Sequence, residues 1–377
     1  MKIAFVYDAI YPWIKGGVEK RVYEVGKRLA GRGHEVHWYG IRWWEEDETA
    51  ETAEKDGIVL HGVVKPVELY KNGRRTIREA ISFSQNLLLP ILKEKFDILD
   101  CQSFPYFSCI SSKFHSLIRG SNLVITWHEV WGDYWYEYLG VKGFIGGAVE
   151  KVVARLTDKN IAVSNKTKRD LERFGVKVAA IVPNGIDFEK IRDVKASEMK
   201  SDVIFVGRLI KEKNVDVLLK AISLLREEMR DVSCIIVGDG PERERLMKLA
   251  RDLKVEGNVA FLRFLDNHET VISLMKSSKV FVLPSTREGF GITVLEANAC
   301  GIPVVTIDSE MNAAADLVKG GTGFLSELDA GDIGSKIKLA IERGKTMRKV
   351  CIKSSRKYDW DDVTGRLESF YTSVVSG

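Results

Sequence analysis

The chain has 377 residues, of which 45% are hydrophobic and 29% charged, and its formal net charge is +4. That length exceeds one ordinary core and predicts two domains of usual size, while the near-balance of charge gives no global electrostatic case for nucleic acid. The five cysteines (Cys101, Cys109, Cys234, Cys300, Cys351) are scattered without C-x-x-C spacing, which argues against zinc and a disulfide framework and for a reducing compartment. The start, Met1-Lys2-Ile3-Ala4-Phe5-Val6, reads as a short strand rather than a signal peptide, and no apolar run is long enough to span a bilayer. A cytoplasmic protein is the expectation.

Residues 2–7 read as a strand, followed by a loop with Pro12 and Gly16-Gly17 and a helix over about 18–30, in which Val22, Val25 and Leu29 recur at helical spacing. Gly31-Arg32-Gly33 stops that helix, and residues 34–39 return as a strand. The acidic, polar stretch 43–56 is expected as an exposed loop or short helix, and 57–64 as a further strand. Over 74–95, Arg74, Arg75 and Arg78 accompany an apolar face of Ile77, Ile81, Leu88 and Ile91-Leu92, with Pro90 expected to kink or end the helix. Such a segment packs on a sheet or lies on anionic lipid, so peripheral membrane contact is one expectation.

Strands at 97–101 and 123–126 follow, then a run rich in aromatics from Trp127 to Tyr136. Three tryptophans and two tyrosines in ten residues do not fit one buried face. Rings with polar edges suit a sugar or lipid-sugar platform; the same rings could instead pack on the next helix. Strands at 159–163 and 178–182 complete this half, which ends at Pro183-Asn184-Gly185-Ile186-Asp187.

Residues 188–201 are charged and lack an apolar period, so they read as a linker. Strands over 203–206, 233–237, 259–262, 280–283 and 303–306 then alternate with helices over 214–225, 242–253, 269–276 and 292–299. Such alternation implies a parallel sheet covered on both faces, and two such halves make the cleft between them the default site. After about Asp329 the pattern is mostly helical.

Two stretches carry the chemistry. Ser285 to Ala297 follows an apolar strand and enters a helix through Glu288-Gly289-Phe290-Gly291-Ile292, with Glu296 eight positions after Glu288. Glycines there admit a ligand to the backbone, and the N–H groups of the first turn attract phosphate. Two acceptors around an anion site suit a nucleotide sugar. Gly207-Arg208-Leu209-Ile210-Lys211-Glu212-Lys213 also leaves a strand and opens a helix, and a guanidinium and an ammonium five positions apart can clamp a diphosphate. Gly238-Asp239-Gly240-Pro241 reads first as a tight turn with Pro241 at the helix start. Gly16-Gly17 could turn amides toward phosphate, and His128 stands just past a strand end. No Walker A, HExxH, Ser-His-Asp order or metal-ligand cluster stands out in the sequence.

Together these residues resemble the retaining glycosyltransferases of family 4, which have the α/β GT-B fold. The resemblance is carried by Gly16-Gly17, Arg32-Gly33-His34-Glu35-Val36, Val182-Pro183-Asn184-Gly185-Ile186-Asp187, Val206-Gly207-Arg208, Lys213, Gly238-Asp239-Gly240-Pro241, Glu288 through Glu296, and Gly301-Ile302-Pro303-Val304-Val305, in the family's order. It implies two Rossmann-like domains facing across a cleft: 1–187 for the acceptor, with a C-terminal helix at about 358–377 crossing back, and 188–357 for the donor. It implies that Glu288 contacts the donor sugar and Glu296 the ribose. Gly289, Phe290, Gly291 and Ile292 would line the donor, Gly17, Gly207, Arg208 and Lys213 would bind its phosphates, and Phe264 would lie at the base. His128 would stand near the transferring centre, and Trp127, Trp131 and Tyr134 are the candidate acceptor contacts. Two departures matter: Ser309 to Asp316 replaces a Gly-Gly-x-x-Glu stretch, and Arg263 stands where glycine is common.

The implied reaction moves a hexosyl group from a UDP- or GDP-sugar to the hydroxyl of a carbohydrate or lipid-linked acceptor, with retained configuration and no cofactor or metal. The alternatives are a sugar-nucleotide epimerase and an inactive nucleotide-sugar-binding scaffold subunit.

Overall fold

In a computed structural model, the protein is described at residues 1–44, 51–66, 70–71 and 74–377, with 70–71 and 74–75 described as backbone only. The chain divides into two units, Met1–Asn184 with Trp360–Gly377, and Gly185–Asp359.

The first unit is built on strands β1 (Lys2–Val6), β2 (Glu35–Ile41), β3 (Thr52–Lys55) and β4 (Ile58–Val64), a short hairpin β5 (Tyr70–Lys71) and β6 (Arg74–Arg75), then β7 (Ile98–Gln102), β8 (Asn122–Trp127), β9 (Asn160–Ala162) and β10 (Val178–Ile181). Apart from the hairpin they form one sheet in the order β10-β9-β8-β7-β1-β2-β4-β3. Every pairing in it is parallel except β3 with β4. Alternation along the strands builds a core on each face: Ala4 and Val6 belong to one cluster, Ile3 and Phe5 to the other. Helices α1 (Gly17–Gly31), α2 (Ile77–Leu92), α3 (Phe107–Arg119), α4 (Tyr134–Leu139), α5 (Gly143–Ala154) and α6 (Asn165–Arg173) connect the strands. Phe83 and Leu87 of α2, Cys109 of α3, Val153 of α5 and Leu171 of α6 share one cluster, which sets these helices on one face. Val22, Val25 and Leu29 of α1 lie on the other face with Trp360, Val363, Leu367 and Tyr371 of the C-terminal helix Trp360–Ser376.

The second unit holds α7 (Phe188–Asp193), β11 (Ser201–Val206), α8 (Val215–Glu228), β12 (Cys234–Val237), α9 (Arg243–Asp252), β13 (Val259–Leu262), α10 (His268–Lys276), β14 (Ser278–Leu283), α11 (Ile292–Ala299), β15 (Val304–Ile307), β16 (Gly323–Ser326) and α12 (Ala330–Arg356). Its six strands are all parallel, in the order β13-β12-β11-β14-β15-β16. The order reverses between β11 and β14, so the loops leaving these two strands open the crevice where such sheets take ligands.

Three expectations change. Residues 52–55 of the acidic stretch are β3, an antiparallel edge strand, and 45–50 lie outside the described residues. The amphipathic helix begins at Ile77 and contains Pro90, while Arg74 and Arg75 lie on the hairpin before it. The segment read as a linker opens with α7, whose Phe188 and Ile191 are buried within the second unit, because an i, i+3 pair is enough to anchor so short a helix.

Candidate functional site

Both loops predicted to carry chemistry leave the strands that flank the reversal of sheet order. After β11 the chain passes Gly207 and the exposed Arg208, makes a single 3-10 turn over Lys211–Lys213, and enters α8 through Asn214. Asn214 adopts a left-handed conformation with φ of 47°, which asparagine tolerates better than most residues. Its Nδ2 donates to the Pro284 carbonyl at 3.1 Å and to Thr286 Oγ1 at 3.3 Å. The Thr286 amide donates to the Glu212 carbonyl at 3.3 Å. The β11 and β14 loops are thereby stitched together, and Lys213 Nζ forms an ion pair with Glu288. The two predicted donor groups thus sit in direct contact, with only 18% and 13% of their side chains exposed.

Glu288 is held by its backbone. Its amide donates to Met311 at 3.0 Å and its carbonyl accepts from Ala313 at 2.9 Å, an isolated bridge to the stretch 309–316 that departs from the family pattern. Gly291 follows with φ of +92°, and a Cβ there would meet Ala314 Cβ at 2.7 Å, so glycine is required for the entry into α11. Phe290 is buried against Tyr358, and Ile292 is the first residue of α11. Glu296, 4% exposed, stands in the second turn and accepts from His268 Nε2 at 2.9 Å. Phe264 is exposed in the loop after β13.

The Gly238-Asp239-Gly240 turn supports the Arg208 loop. A Cβ on Gly238 would lie 1.9 Å from the Gly207 carbonyl oxygen, and one on Gly240 would lie 2.4 Å from that of Leu209. The Leu209 amide donates to Asp239 at 2.9 Å and the Glu242 amide to Leu209 at 3.0 Å. Arg243, which the sequence did not single out, reaches the Gly238 carbonyl at 3.2 Å and those of Phe261 and Leu262 at 3.4 Å, tying the ends of β12 and β13.

In the first unit, Gly17 opens α1 and His128 follows β8. Gln102 Nε2 donates to Asp100 Oδ1 at 3.0 Å, which turns its Oε1 toward His128 Nε2 at 2.8 Å. That pairing assigns the proton to Nε2 and leaves Nδ1 with a lone pair. Burial pushes the His128 imidazole down to about 3, and the Arg21 guanidinium adds to the effect, so the ring is neutral at pH 7. Arg21 is itself 3% exposed and donates to the Pro183 carbonyl and to Asn184 Oδ1, fixing the Pro-Asn-Gly turn. Asp100, whose carboxyl burial pushes up, also accepts from Thr126 Oγ1 at 2.8 Å and from Tyr371 of the C-terminal helix.

The aromatic run is mostly core, which corrects the acceptor platform at two positions. Trp127 is the last residue of β8, shares a face with Leu123 and Ile125, is 0% exposed, and donates to Asn160 Oδ1 at 2.8 Å. Trp131 is 8% exposed and packs on Trp135 at 4.5 Å between ring centres. Neither ring presents a face to a sugar. The buried carboxylate of Glu150, nineteen positions away, accepts from the Trp131 amide at 2.8 Å and the Gly132 amide at 2.9 Å and holds the run inward. Tyr134 is half-buried, edge-on to Trp131.

Comparison with known proteins matches this anatomy. Residues 187–358 match the family described as Glycosyl transferases group 1, and residues 15–190 match Glycosyltransferase Family 4. A phosphatidylinositol N-acetylglucosaminyltransferase subunit from Arabidopsis thaliana is 24% identical over 386 aligned residues, which cover 100% of this chain and 82% of the relative. The GDP-mannose-dependent alpha-(1-6)-phosphatidylinositol dimannoside mannosyltransferase of Mycobacterium tuberculosis is 25% identical over 52% of each chain. Among solved structures, sucrose-phosphate synthase from Thermosynechococcus elongatus superposes with a TM-score of 0.80 at 18% identity, covering 100% of this chain and 99% of that one. Anabaena HepE in complex with UDP and glucose superposes with a TM-score of 0.76 at 19% identity, covering 99% and 100%. Two Rossmann-like units of this kind make the GT-B fold, and the two family models define the protein as a glycosyltransferase. The chain belongs to glycosyltransferase family 4.

Proposed function

We propose that the protein transfers a hexosyl group from a UDP- or GDP-sugar to an acceptor hydroxyl with retention of configuration. The observation that carries this reading is the Lys213–Glu288 pair at the β11/β14 crevice, with Glu296 in the same loop-helix element. Arg208 and Lys213 would hold the diphosphate, Glu288 the donor sugar and Glu296 the ribose. Gly17, Gly207 and the Gly289–Ile292 backbone would complete the donor contacts, and Phe264 offers an exposed ring to the base. As the sugar–phosphate bond breaks, the departing phosphate accepts the acceptor's proton and the two cations stabilise its charge, a front-face course that assigns no carboxylate as a covalent nucleophile. The chemistry is proposed to run without a metal. Neutral His128 would offer its Nδ1 lone pair near the transferring centre, and Tyr134 is the remaining candidate for acceptor contact.

For the acceptor we favour a lipid-linked alcohol handled at a membrane surface. Two relatives are named for transfer to phosphatidylinositol or a phosphatidylinositol mannoside. The helices on one face of the first unit leave Ile81, Ile110, Phe114, Leu117, Phe144 and Ile145 exposed, apolar side chains of the kind that meet a membrane or a partner. Among the described residues no helix is long and apolar enough to cross a membrane. Incubating the protein with UDP- and GDP-sugars, with and without phosphatidylinositol vesicles, tests the proposal. A glycosylated lipid with the donor's anomeric configuration is the expected product. An epimerised donor in the absence of acceptor would favour the epimerase, and no turnover despite donor binding would favour the scaffold.

A further inference from the structure

Outside the transferase site, the first unit gathers three metal-ligating groups that the sequence keeps far apart. His37 lies on β2, His61 on β4 and Glu94 in the turn after α2. One ligand atom from each lies within 4.8 Å of the others. His37 Nδ1 stands 2.8 Å from His61 Nε2, so a modest opening would admit an ion whose nitrogen ligands sit about 3.3 Å apart in tetrahedral geometry. The histidines lie within the sheet, His37 third in β2 and His61 in the middle of β4, whereas His128 and the ligand loops follow C-terminal strand ends.

Three features fit a site rather than a chance encounter. His37 Nε2 donates to Glu35 Oε1 at 3.0 Å, which fixes the tautomer and turns Nδ1 inward as a ligand, the carboxylate–histidine arrangement found behind metal-bound imidazoles. The His61 ring is clamped by stacking on Tyr39 at 4.2 Å between ring centres, which holds its nitrogen beside His37. The position already holds a cation: Lys2 Nζ pairs with Glu35 at 2.7 Å and with Glu94.

We propose that His37, His61 and Glu94 bind a divalent first-row transition-metal ion of the zinc class, with water completing the coordination. Two imidazoles and a carboxylate are a borderline donor set that suits such ions over magnesium or calcium. Entry of the ion displaces the Lys2 ammonium from Glu94, so Lys2 competes with the metal for one carboxylate. The bound ion ties β2, β4 and the end of α2 together and stabilises the first unit; it takes no part in sugar transfer.

The test is zinc titration of the chelator-stripped full chain by calorimetry, with thermal melts alongside. The expected result is one zinc per chain and a rise in Tm. Glu94→Gln, at a side chain 35% exposed and tolerant of change, should weaken binding more than tenfold. Glu35→Gln should weaken it by roughly 10–100-fold through the orienting contact. Lys2→Met should tighten it several-fold. His61→Gln should abolish the Tm rise, and the metal-free melt of each variant reports whether it folds. Zinc binding of equal strength in wild type and Glu94→Gln, or none in wild type, would overturn the proposal.

Discussion

Replacing Glu288 by glutamine should tighten the binding of a bare nucleoside diphosphate while slowing sugar transfer. The Lys213 ammonium is engaged by the Glu288 carboxylate, and it must leave that partner to reach a phosphate. Exposed ion pairs are worth up to about 1 kcal/mol, and exposures of 18% and 13% put this one at the upper end. Removing the competing carboxylate therefore returns about 1 kcal/mol to the lysine–phosphate contact, a roughly fivefold gain in affinity for UDP or GDP. Lys213→Met loses a charge-assisted contact of about 1.5–3 kcal/mol and should weaken the same ligands by roughly 10–150-fold. The double variant should resemble Lys213→Met alone, because without the ammonium there is nothing for Glu288 to restrain. Calorimetric titration of UDP and GDP into the four proteins measures these differences directly. If Glu288→Gln weakens diphosphate binding as much as Lys213→Met does, Glu288 holds the nucleotide and its assignment to the sugar fails.

Arg208→Ala should lower turnover by about 2–4 kcal/mol of transition-state stabilisation, and steady-state rates equal to wild type would remove it from the diphosphate clamp. Glu296→Gln gives up a charged acceptor for the ribose and should weaken nucleotide binding by about 1.5–3 kcal/mol, read by titration; unchanged affinity would count against the ribose contact. Gly238→Ala drives a Cβ to 1.9 Å from the Gly207 carbonyl, so it should destabilise the protein by about 2–4 kcal/mol in urea unfolding; wild-type stability and activity together would show that the turn can yield. The depressed His128 value gives a pH prediction. The unfolded ring takes up a proton below about 6.5, whereas the folded ring resists to about 3, so its contribution is lost as the pH falls. Stability should drop by at most about 1.4 kcal/mol per pH unit from this group, and His128→Asn should flatten the slope between pH 6 and pH 5; parallel curves would contradict the neutral ring.

The alternation of strands and helices was legible because parallel strands covered on both faces read as apolar runs and their helices as amphipathic ones. The reactive loops were legible for a related reason: Arg208, Lys213, Glu288 and Glu296 come just after such runs or at helix entrances, where a crevice must lie if the sheet order reverses nearby. What failed was local geometry. Ending β8 at Thr126 hid Trp127, which continues the inward face of Leu123 and Ile125 by one more step. Trp131 points inward because the Glu150 carboxylate captures its amide and that of Gly132, a contact no window around the run contains. His268 against Glu296, Arg21 against Asn184 and Gln102 against His128 were equally illegible, since each pair spans at least 26 positions and is brought together only by the folded sheet. His37, His61 and Glu94 likewise meet only in the folded sheet, the histidines 24 positions apart. Composition dismissed metal on the cysteines, and no short spacing marked the histidines.

The account rests on a donor site built from the β11 and β14 loops, and one comparison tests it most directly. A panel of UDP- and GDP-sugars is titrated into the wild-type chain and into Glu296→Gln while thermal stability is followed, since a ligand that binds the folded state raises Tm by mass action. The account predicts a saturable rise with at least one nucleotide sugar and a markedly smaller rise in the variant. No shift with any member of the panel, or the same shift in both proteins, would contradict it.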